Sequence, residues 1–404
     1  MSNGHVIPPA TTWHIVEYRG RSGLERLEAD WRRLNAEMPA RSRYHAYEAH
    51  LAYADALMAA PDRLRYLALT DGERVRAVCP LEAAQDMSLR RPIPAWSLPW
   101  HLHWLITDAL GPEDEARKAL IPAVVEFLRR DPEGRPLLVM GPLPAASVIW
   151  EGLRAMRPRE YSVHSTAPSF FLDCEKTYDE ALARLTSHFR RNLRSHRNKL
   201  ESLADVRFVT VSGQAGQAAL EAELDAFMTV EASGWKGPDG TGSAIRLHPE
   251  LMDFYRTLAT AMSGPDDRCE VNALYVEGRC VASQFCVRTG QDYAILKIGY
   301  DEAYARLGPG QLLFDKTLER CCDDPAIKRL DLVGDASWCK DWHAAARSTQ
   351  QMHVAIGRWS GRPLVAVIRF RYGQGRRLVG WLRERADRRG DDGSAGHRTP
   401  SAPG

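Results

Sequence analysis

The chain lacks the features that would mark a membrane span, a disulfide-bonded scaffold or a general nucleic-acid binder. Its 404 residues contain no apolar run of the roughly 18 residues that a transmembrane helix needs. The eight cysteines form no Cys-x-x-Cys pair, so we expect neither a disulfide framework nor a zinc site. Lys and Arg number 54 against 52 Asp and Glu, which is not the basic excess typical of nucleic-acid binders. No basic and then apolar leader precedes Trp13, so we expect a cytoplasmic protein.

The remaining composition is that of a globular protein, with 44% hydrophobic and 26% charged residues. At roughly 150 residues per domain, this length predicts two to three domains. Two halves of similar element order are followed by a tail, so we predict domains at 1–165 and 166–357. The tail, 358–404, is rich in Arg, and we expect disorder after about residue 390 because Gly, Ser and Pro dominate there.

The second half alternates helices with a three-stranded meander, which predicts an α+β fold class. Turn dipeptides at Glu277-Gly278 and Thr289-Gly290 separate the three strands. A continuous basic helix is predicted over Tyr178–Leu203, because apolar residues recur there at the helical period. In the first half, Asp71-Gly72 predicts a hairpin, and Pro92–Trp104 is predicted to be a loop.

A Gly-Pro-Gly sequence at Gly308, Pro309 and Gly310 begins the predicted helix that follows the meander. Glycine lets a ligand approach the backbone closely, and the free N–H groups of a first helical turn attract anions. A pyrophosphate is one such anion. As a bare pattern, however, the same sequence also fits ordinary turn chemistry. The helix start is therefore a candidate phosphate site.

Four segments together resemble one family: Lys297–Cys321, Leu330–Trp342, Ser187–Glu201 and Glu231–Gly237. They are similar to the GNAT-superfamily acyltransferases, in particular the CelD-like accessory proteins of cellulose biosynthesis. The resemblance implies tandem GNAT-like domains, each a mixed, mostly antiparallel sheet with flanking helices, the first of them degenerate. It also implies an acyl-CoA co-substrate, with acetyl or a longer acyl chain, and no metal.

In this family, a Gln/Arg-x-x-Gly-x-Gly/Ala loop holds the pyrophosphate and a strand edge binds the pantetheine amides. Here the first position of that loop is Ala305, and the arginine, Arg306, comes one place late. The resemblance implies that the residues that bind the co-substrate are Leu296, Lys297, Ile298, Arg306, Leu307, Gly308, Gly310, Gln311 and Leu312.

Direct acyl transfer needs a base, a polarised carbonyl and a donor to the leaving thiolate. Asp301 and Glu302 follow the strand beside the expected acyl site, so either is a candidate base, although a solvated turn fits them equally. Tyr300 is the candidate donor to sulfur. Lys340 is a candidate for binding an acidic acceptor or neutralising developing charge.

Further residues are candidates for binding the acceptor. Arginines along the basic helix suit an anionic group, since a guanidinium fork matches phosphate. A tryptophan in a glycine-rich loop either walls a pocket or caps the core. The candidate substrate-binding residues are Trp235, Arg190, Arg194, Asp335 and Trp342.

These observations predict an acyl-CoA-dependent acyltransferase, with N-acyl or acetyl transfer to a small-molecule or saccharide-related acceptor linked to exopolysaccharide synthesis. Two alternatives remain open: a Fem-type transferase that uses aminoacyl-tRNA, and a non-catalytic accessory protein of polysaccharide assembly. No specific nucleic-acid partner is expected otherwise. The Arg-rich tail predicts weak contact with an anionic membrane surface.

Overall fold

The computed structural model describes residues 12–58, 60–103, 107–203, 205–334 and 336–373. The strands are β1 (His14–Arg19), β2 (Arg65–Thr70), β3 (Val75–Asp86), β4 (Ile93–Ser97), β5 (Leu137–Leu143), β6 (Tyr161–Ser165), β7 (Ser169–Asp173), β8 (Val206–Ser212), β9 (Asp267–Val276), β10 (Arg279–Thr289), β11 (Asp292–Tyr300), β12 (Arg329–Asp331), β13 (Ala345–Arg347) and β14 (Gln350–Ala355).

The α-helices are α1 (Gly20–Arg26), α2 (Glu28–Glu37), α3 (Tyr47–Ala52), α4 (Asp114–Leu128), α5 (Ile149–Arg154), α6 (Tyr178–Ala183), α7 (Ser187–Glu201), α8 (Gln217–Glu231), α9 (Pro249–Ala261), α10 (Pro309–Asp323) and α11 (Gly361–Tyr372). No helix among the described residues combines the length and apolar character needed to cross a membrane.

The strands form two seven-stranded sheets of the same design. The first has the order β1-β2-β3-β4-β5-β14-β6, and the second reads β8-β9-β10-β11-β12-β7-β13. In each sheet the fourth and fifth strands are parallel, and every other neighbouring pair is antiparallel. In each, one long helix connects the parallel pair, α4 in the first sheet and α10 in the second. The predicted α+β class with two mixed, mostly antiparallel sheets is confirmed.

One strand of the second half pairs in the first sheet. β7, the first strand of the range predicted for the second domain, pairs in the second sheet, between β12 and β13. β14 follows β13 of the second sheet along the chain but pairs in the first, between β5 and β6. Gln350–Ala355 lies inside the range predicted for the second domain, 166–357, although its hydrogen bonds are made in the first sheet. The halves are therefore connected through their sheets as well as through the linker.

A buried ion pair and an apolar cluster also join the halves. The guanidinium of Arg43, from the first half, lies 3.2 Å from a carboxylate oxygen of Asp331 at the end of β12. Both side chains are buried. Burial alone raises the pKa of Asp331, but Arg43 and Arg347 outweigh it and hold the pKa of this carboxyl below its usual range. Asp331 therefore stays charged and binds the first half to the second.

Two local predictions differ from the structure. The helix predicted over Tyr178–Leu203 is broken into α6 and α7, because the Thr186 side chain accepts a hydrogen bond from the Phe189 N–H and so caps a new helix. The predicted loop Pro92–Trp104 contains β4, which pairs with β3 on one side and β5 on the other.

Candidate active site

β11 pairs with its parallel neighbour, β12, over only part of its length. It pairs with β12 only over Asp292–Ala294, because β12 ends at Asp331. Across β11, β10 continues to pair as far as Tyr300, with a register shift at Leu296 that bulges the strand. Residues 295–300 therefore present an edge that no strand of the described chain covers. The two parallel strands open into a wedge at this point.

A cavity of about 400 Å³ occupies this wedge. It lies between β11, the start of α10, one face of α7 and the segment that follows β12. Its lining residues are His196, Gln284, Ile298, Tyr300, Ala305, Gly308, Pro309, Gly310, Gln311, Phe314, Trp338, Asp341 and Trp342. Trp342 packs against Phe314 with the ring planes tilted by 50° and the ring centroids 4.5 Å apart, and it is itself buried. The wall of the cavity is thus apolar and aromatic, with polar groups at its two ends.

The N-terminus of α10 opens into the cavity. Gly308 adopts the left-handed conformation at φ 62°, and a Cβ there would overlap the imidazole of His196. No side chain caps this helix, and its first turn contains no acidic residue. Leu312 donates the first backbone bond, back to Gly308, so the N–H groups of Gly310 and Gln311 precede the helical ladder. These two donors and the helix dipole favour an anion here.

The equivalent helix of the first half, α4, has an acidic N-terminus that disfavours an anion. α4 begins after Glu113, and its first turn carries Asp114 and Glu115. Three carboxylates at a helix N-terminus would repel a phosphate. The second half is therefore the half that fits a phosphate-bearing ligand.

Gln284 lies at the base of the cavity with a fixed orientation. Its side-chain oxygen accepts hydrogen bonds from the Thr317 hydroxyl at 2.8 Å and from the Asn272 amide at 3.4 Å. Because the oxygen is engaged on this side, the amide nitrogen is left for the cavity that Gln284 lines. The sequence analysis did not single out Gln284, since a lone glutamine in a strand gives no signal.

Two reactive side chains line the cavity. Tyr300, a predicted donor, is 40% exposed and lies beside the backbone of Gly310. Asp341 was not predicted, yet it lines the cavity next to Trp342. No ion pair or hydrogen bond to its carboxylate is found among the described residues, so it is available to accept a proton.

The other predicted catalytic residues lie elsewhere. Asp301 is buried, and its carboxylate accepts a hydrogen bond from the Ala303 N–H and pairs with Arg279 at 2.6 Å, so it caps a turn instead of serving as a free base. Glu302 accepts a hydrogen bond from the Trp235 N–H at 3.1 Å and holds that loop. Lys340 is exposed to solvent and does not line the cavity.

The predicted arginines also lie outside the cavity lining. Arg190 contacts the Ala183 carbonyl at 3.4 Å, and Arg194 is exposed, two residues from His196 and so on nearly the opposite side of α7. Arg306 is exposed after the meander. Asp335 lies outside the described residues. The helix α7 instead presents His196, whose pKa is lowered by burial and by Lys199, while a hydrogen bond with Gln311 opposes the shift.

The register shift at Leu296 places two of the predicted strand residues on opposite faces of the sheet. Ile298 lines the cavity, whereas Leu296 packs into the core formed with α8 and α9. Leu312 is buried and Leu307 packs against the core, so only their backbone amides are suited to a ligand. Trp235 is 60% exposed and is absent from the cavity wall.

Lys297 lies away from the cavity, at the junction of the two halves. Burial, together with the nearby ammonium of Lys236, lowers the pKa of Lys297 to about 8, and Glu231 opposes the shift. Glu231 itself pairs with Lys236 at 3.0 Å. The charge of Lys297 in turn contributes to the lowered pKa of His103, a residue of the first half. Among the described residues, no carboxylate lies within 4 Å of the Lys297 ammonium.

Comparison with known proteins gives a family for this region. The acetyltransferase (GNAT) domain family matches residues 187–343. The comparison with curated proteins found no match. Among solved structures, a protein of unknown function from Bacteroides thetaiotaomicron is 13% identical, with a TM-score of 0.50 over 81% of this chain and 97% of that one.

Two further structures match at lower scores. L-PGS from Bacillus licheniformis is 14% identical, with a TM-score of 0.48 over 84% of this chain and 96% of its own. A tandem GNAT protein from the clavulanic acid biosynthesis pathway is 12% identical, with a TM-score of 0.46 over 86% and 99%. Residues 187–343 thus match the acetyltransferase (GNAT) domain family, and the chain forms two mixed, mostly antiparallel sheets with flanking helices.

Proposed function

We propose that the protein transfers an acyl group from an acyl-CoA thioester to an amine or hydroxyl acceptor, and that its second half carries the chemistry. The observation that carries this proposal is the cavity between β11 and the segment after β12, which ends at the uncapped N-terminus of α10. Its volume of about 400 Å³ lies within the roughly 300–1,000 Å³ of small-molecule sites.

The residues present fit an acyl-CoA. The N–H groups of Gly310 and Gln311 would hold the pyrophosphate, with Lys199 one turn from His196 supplying positive charge nearby. The uncovered edge at residues 295–300 would bind the pantetheine amides as a further strand does. The aromatic wall of Phe314 and Trp342 would enclose the thioester end and exclude water.

Three side chains supply the groups that acyl transfer needs. The Gln284 amide would donate to the thioester carbonyl oxygen, where negative charge develops as the acceptor attacks. Asp341 would take the proton that the acceptor loses, directly or through one water. The Tyr300 hydroxyl would donate to the sulfur as the carbon–sulfur bond breaks. The bond to the acceptor forms at the same carbon.

We place the acceptor at the junction of the two halves, beside Lys297. Among the described residues no carboxylate pairs with this ammonium within 4 Å, so an acceptor with a carboxylate or phosphate would neutralise its charge. The resemblance of Lys297–Cys321 to CelD-like proteins adds saccharide precursors to the acceptors to be tested.

Release of free thiol from acetyl-CoA and a long-chain acyl-CoA, measured with a panel of amines that carry or lack a carboxylate, tests this proposal. We expect acceptor-dependent release that falls in Tyr300→Phe and Asp341→Asn and is unchanged in the exposed control Lys340→Met. Binding of an aminoacyl-tRNA without binding of any acyl-CoA would support the Fem-type alternative. Binding of neither, with polymer production intact in Asp341→Asn cells, would support an accessory role.

A further inference from the structure

The last described helix, α11, covers one face of the first sheet. Its inner side packs Val365 and Ile368 against β4, β5 and β14, in a small core with Ala95 and Val139. On one flank, Arg362 pairs with Glu160 at 2.6 Å, and Arg369 donates to the Tyr161 carbonyl. The position and rotation of α11 are therefore fixed by the first half.

The outer side of α11 is apolar, which is unusual for a surface helix. Trp359 is 93% exposed, Val367 52% and Phe370 56%. Pro363 is exposed between them. Pro363, Val367 and Phe370, spaced four and three residues apart, form a stripe along α11 opposite its buried face, and Trp359 lies in the turn just before the helix. A surface helix normally presents polar residues there, so this stripe is suited to an apolar environment.

Positive charge surrounds the stripe. The segment 356–373 contains no acidic residue, and the arginines at its two ends, Arg358 and Arg371, have no acidic partner among the described residues. The sequence that follows, 374–389, adds six arginines against Glu384 and Asp387. A second copy docked through the same stripe would bring Arg358 and Arg371 close to their counterparts, and the segment 356–373 offers no carboxylate to pair with them. The charge therefore disfavours self-association and favours an anionic surface.

We infer that the outer face of α11, formed by Pro363, Val367 and Phe370, docks on an anionic membrane surface together with Trp359 of the preceding turn. The aromatic and aliphatic side chains enter the boundary between headgroups and acyl chains, as in an interfacial helix. The flanking arginines meet the acidic headgroups, and this attraction weakens with salt. The site lies on the first half, so it is independent of the acyl-CoA cavity of the second.

Co-sedimentation of the full-length protein with vesicles tests the inference. The vesicles contain phosphatidylcholine alone or mixed with phosphatidylglycerol, at low and high salt. We expect binding to the mixed vesicles at low salt, and a loss of about tenfold in the double variant Trp359→Ser, Phe370→Ser. The matched control Phe208→Ser removes an exposed phenylalanine, 38% exposed on β8 of the second half, and keeps full binding.

Three results would overturn the inference. They are the absence of binding to the mixed vesicles, equal binding to phosphatidylcholine alone, and unchanged binding in a double variant whose unfolding temperature matches the parent. Gel filtration tests whether a second copy of the chain covers the stripe instead. If the parent is a dimer that does not bind vesicles, and the double variant is a monomer, the stripe is a dimer interface. Circular dichroism of both variants establishes that α11 remains folded.

Discussion

Replacing Gly310 by glutamate tests whether the start of α10 binds a pyrophosphate. Gly310 has no positive φ, and a Cβ there would lie 3.5 Å from the Tyr300 ring, an ordinary contact. A Cβ is therefore accommodated at this position without backbone strain. Glutamine and glutamate have the same size, so the pair Gly310→Gln and Gly310→Glu differs in charge alone.

The expected effect follows from the distance between charges. For a separation of about 6 Å between a glutamate carboxylate and a bound phosphate, and an effective dielectric constant of about 20, the repulsion costs about 3 kcal/mol, which weakens the Kd about a hundredfold. The same carboxylate interacts favourably with the helix dipole, by about 0.3–1 kcal/mol. Gly310→Glu should therefore lose acyl-CoA while unfolding at the same or a higher temperature than Gly310→Gln.

Isothermal titration of both variants with acetyl-CoA, together with thermal unfolding, measures these two quantities. A weaker Kd without a lower unfolding temperature distinguishes a local effect of the charge from destabilisation of the fold. Equal Kd values for the glutamine and glutamate variants would refute the assignment of this helix start to the pyrophosphate.

Further predictions concern the domain junction and the chemistry. Arg43→Met leaves Asp331 buried with a weaker partner, so the free energy of unfolding in urea should fall by about 3–5 kcal/mol. Because folding lowers the pKa of Asp331, the difference in the free energy of unfolding between parent and variant should shrink as the pH falls below about 4. A difference that does not change with pH would show that it does not come from the charge of Asp331. Lys297→Met should raise the free energy of unfolding at pH 7 by up to about 3 kcal/mol, because folding lowers the pKa of this lysine. This gain in stability should decline as the pH rises from 8 to 10.5. A lower free energy of unfolding at pH 7 in the variant would refute the prediction. Tyr300→Phe and Asp341→Asn should lower kcat about a hundredfold with the KM for acyl-CoA unchanged, and a change in KM alone would assign these residues to binding.

The features that could be predicted from the sequence are those that depend on neighbours along the chain. The meander was predictable because Glu277-Gly278 and Thr289-Gly290 specify its turns locally. The Gly-Pro-Gly helix start was predictable for the same reason. β4 was not, because Pro92 and Pro94 signal a loop, and the strand exists only where β3 and β5 provide partners. The return of β14 to the first sheet depends on which sheet the strand reaches, and no local pattern records that.

The candidate site was predicted less completely than the fold. Asp341 and Lys340 are adjacent and polar, and only the path of the chain after β12 decides that Asp341 lines the cavity while Lys340 faces solvent. Asp301 follows the strand as a base would, but the turn that it caps and the partner Arg279 engage its carboxylate. Gln284 acquires its orientation from Thr317, a residue 33 positions away. Such roles are set by tertiary contacts.

The stoichiometry of acetyl-CoA binding to the unmodified chain tests the central claim most directly. The uncapped, glycine-rich start of α10 and the acidic start of α4 predict one site per chain, located in the second half. Isothermal titration should therefore give a stoichiometry of one. A value of two would show that the first half also binds the co-substrate, and the absence of binding would contradict the assignment of the cavity to an acyl-CoA.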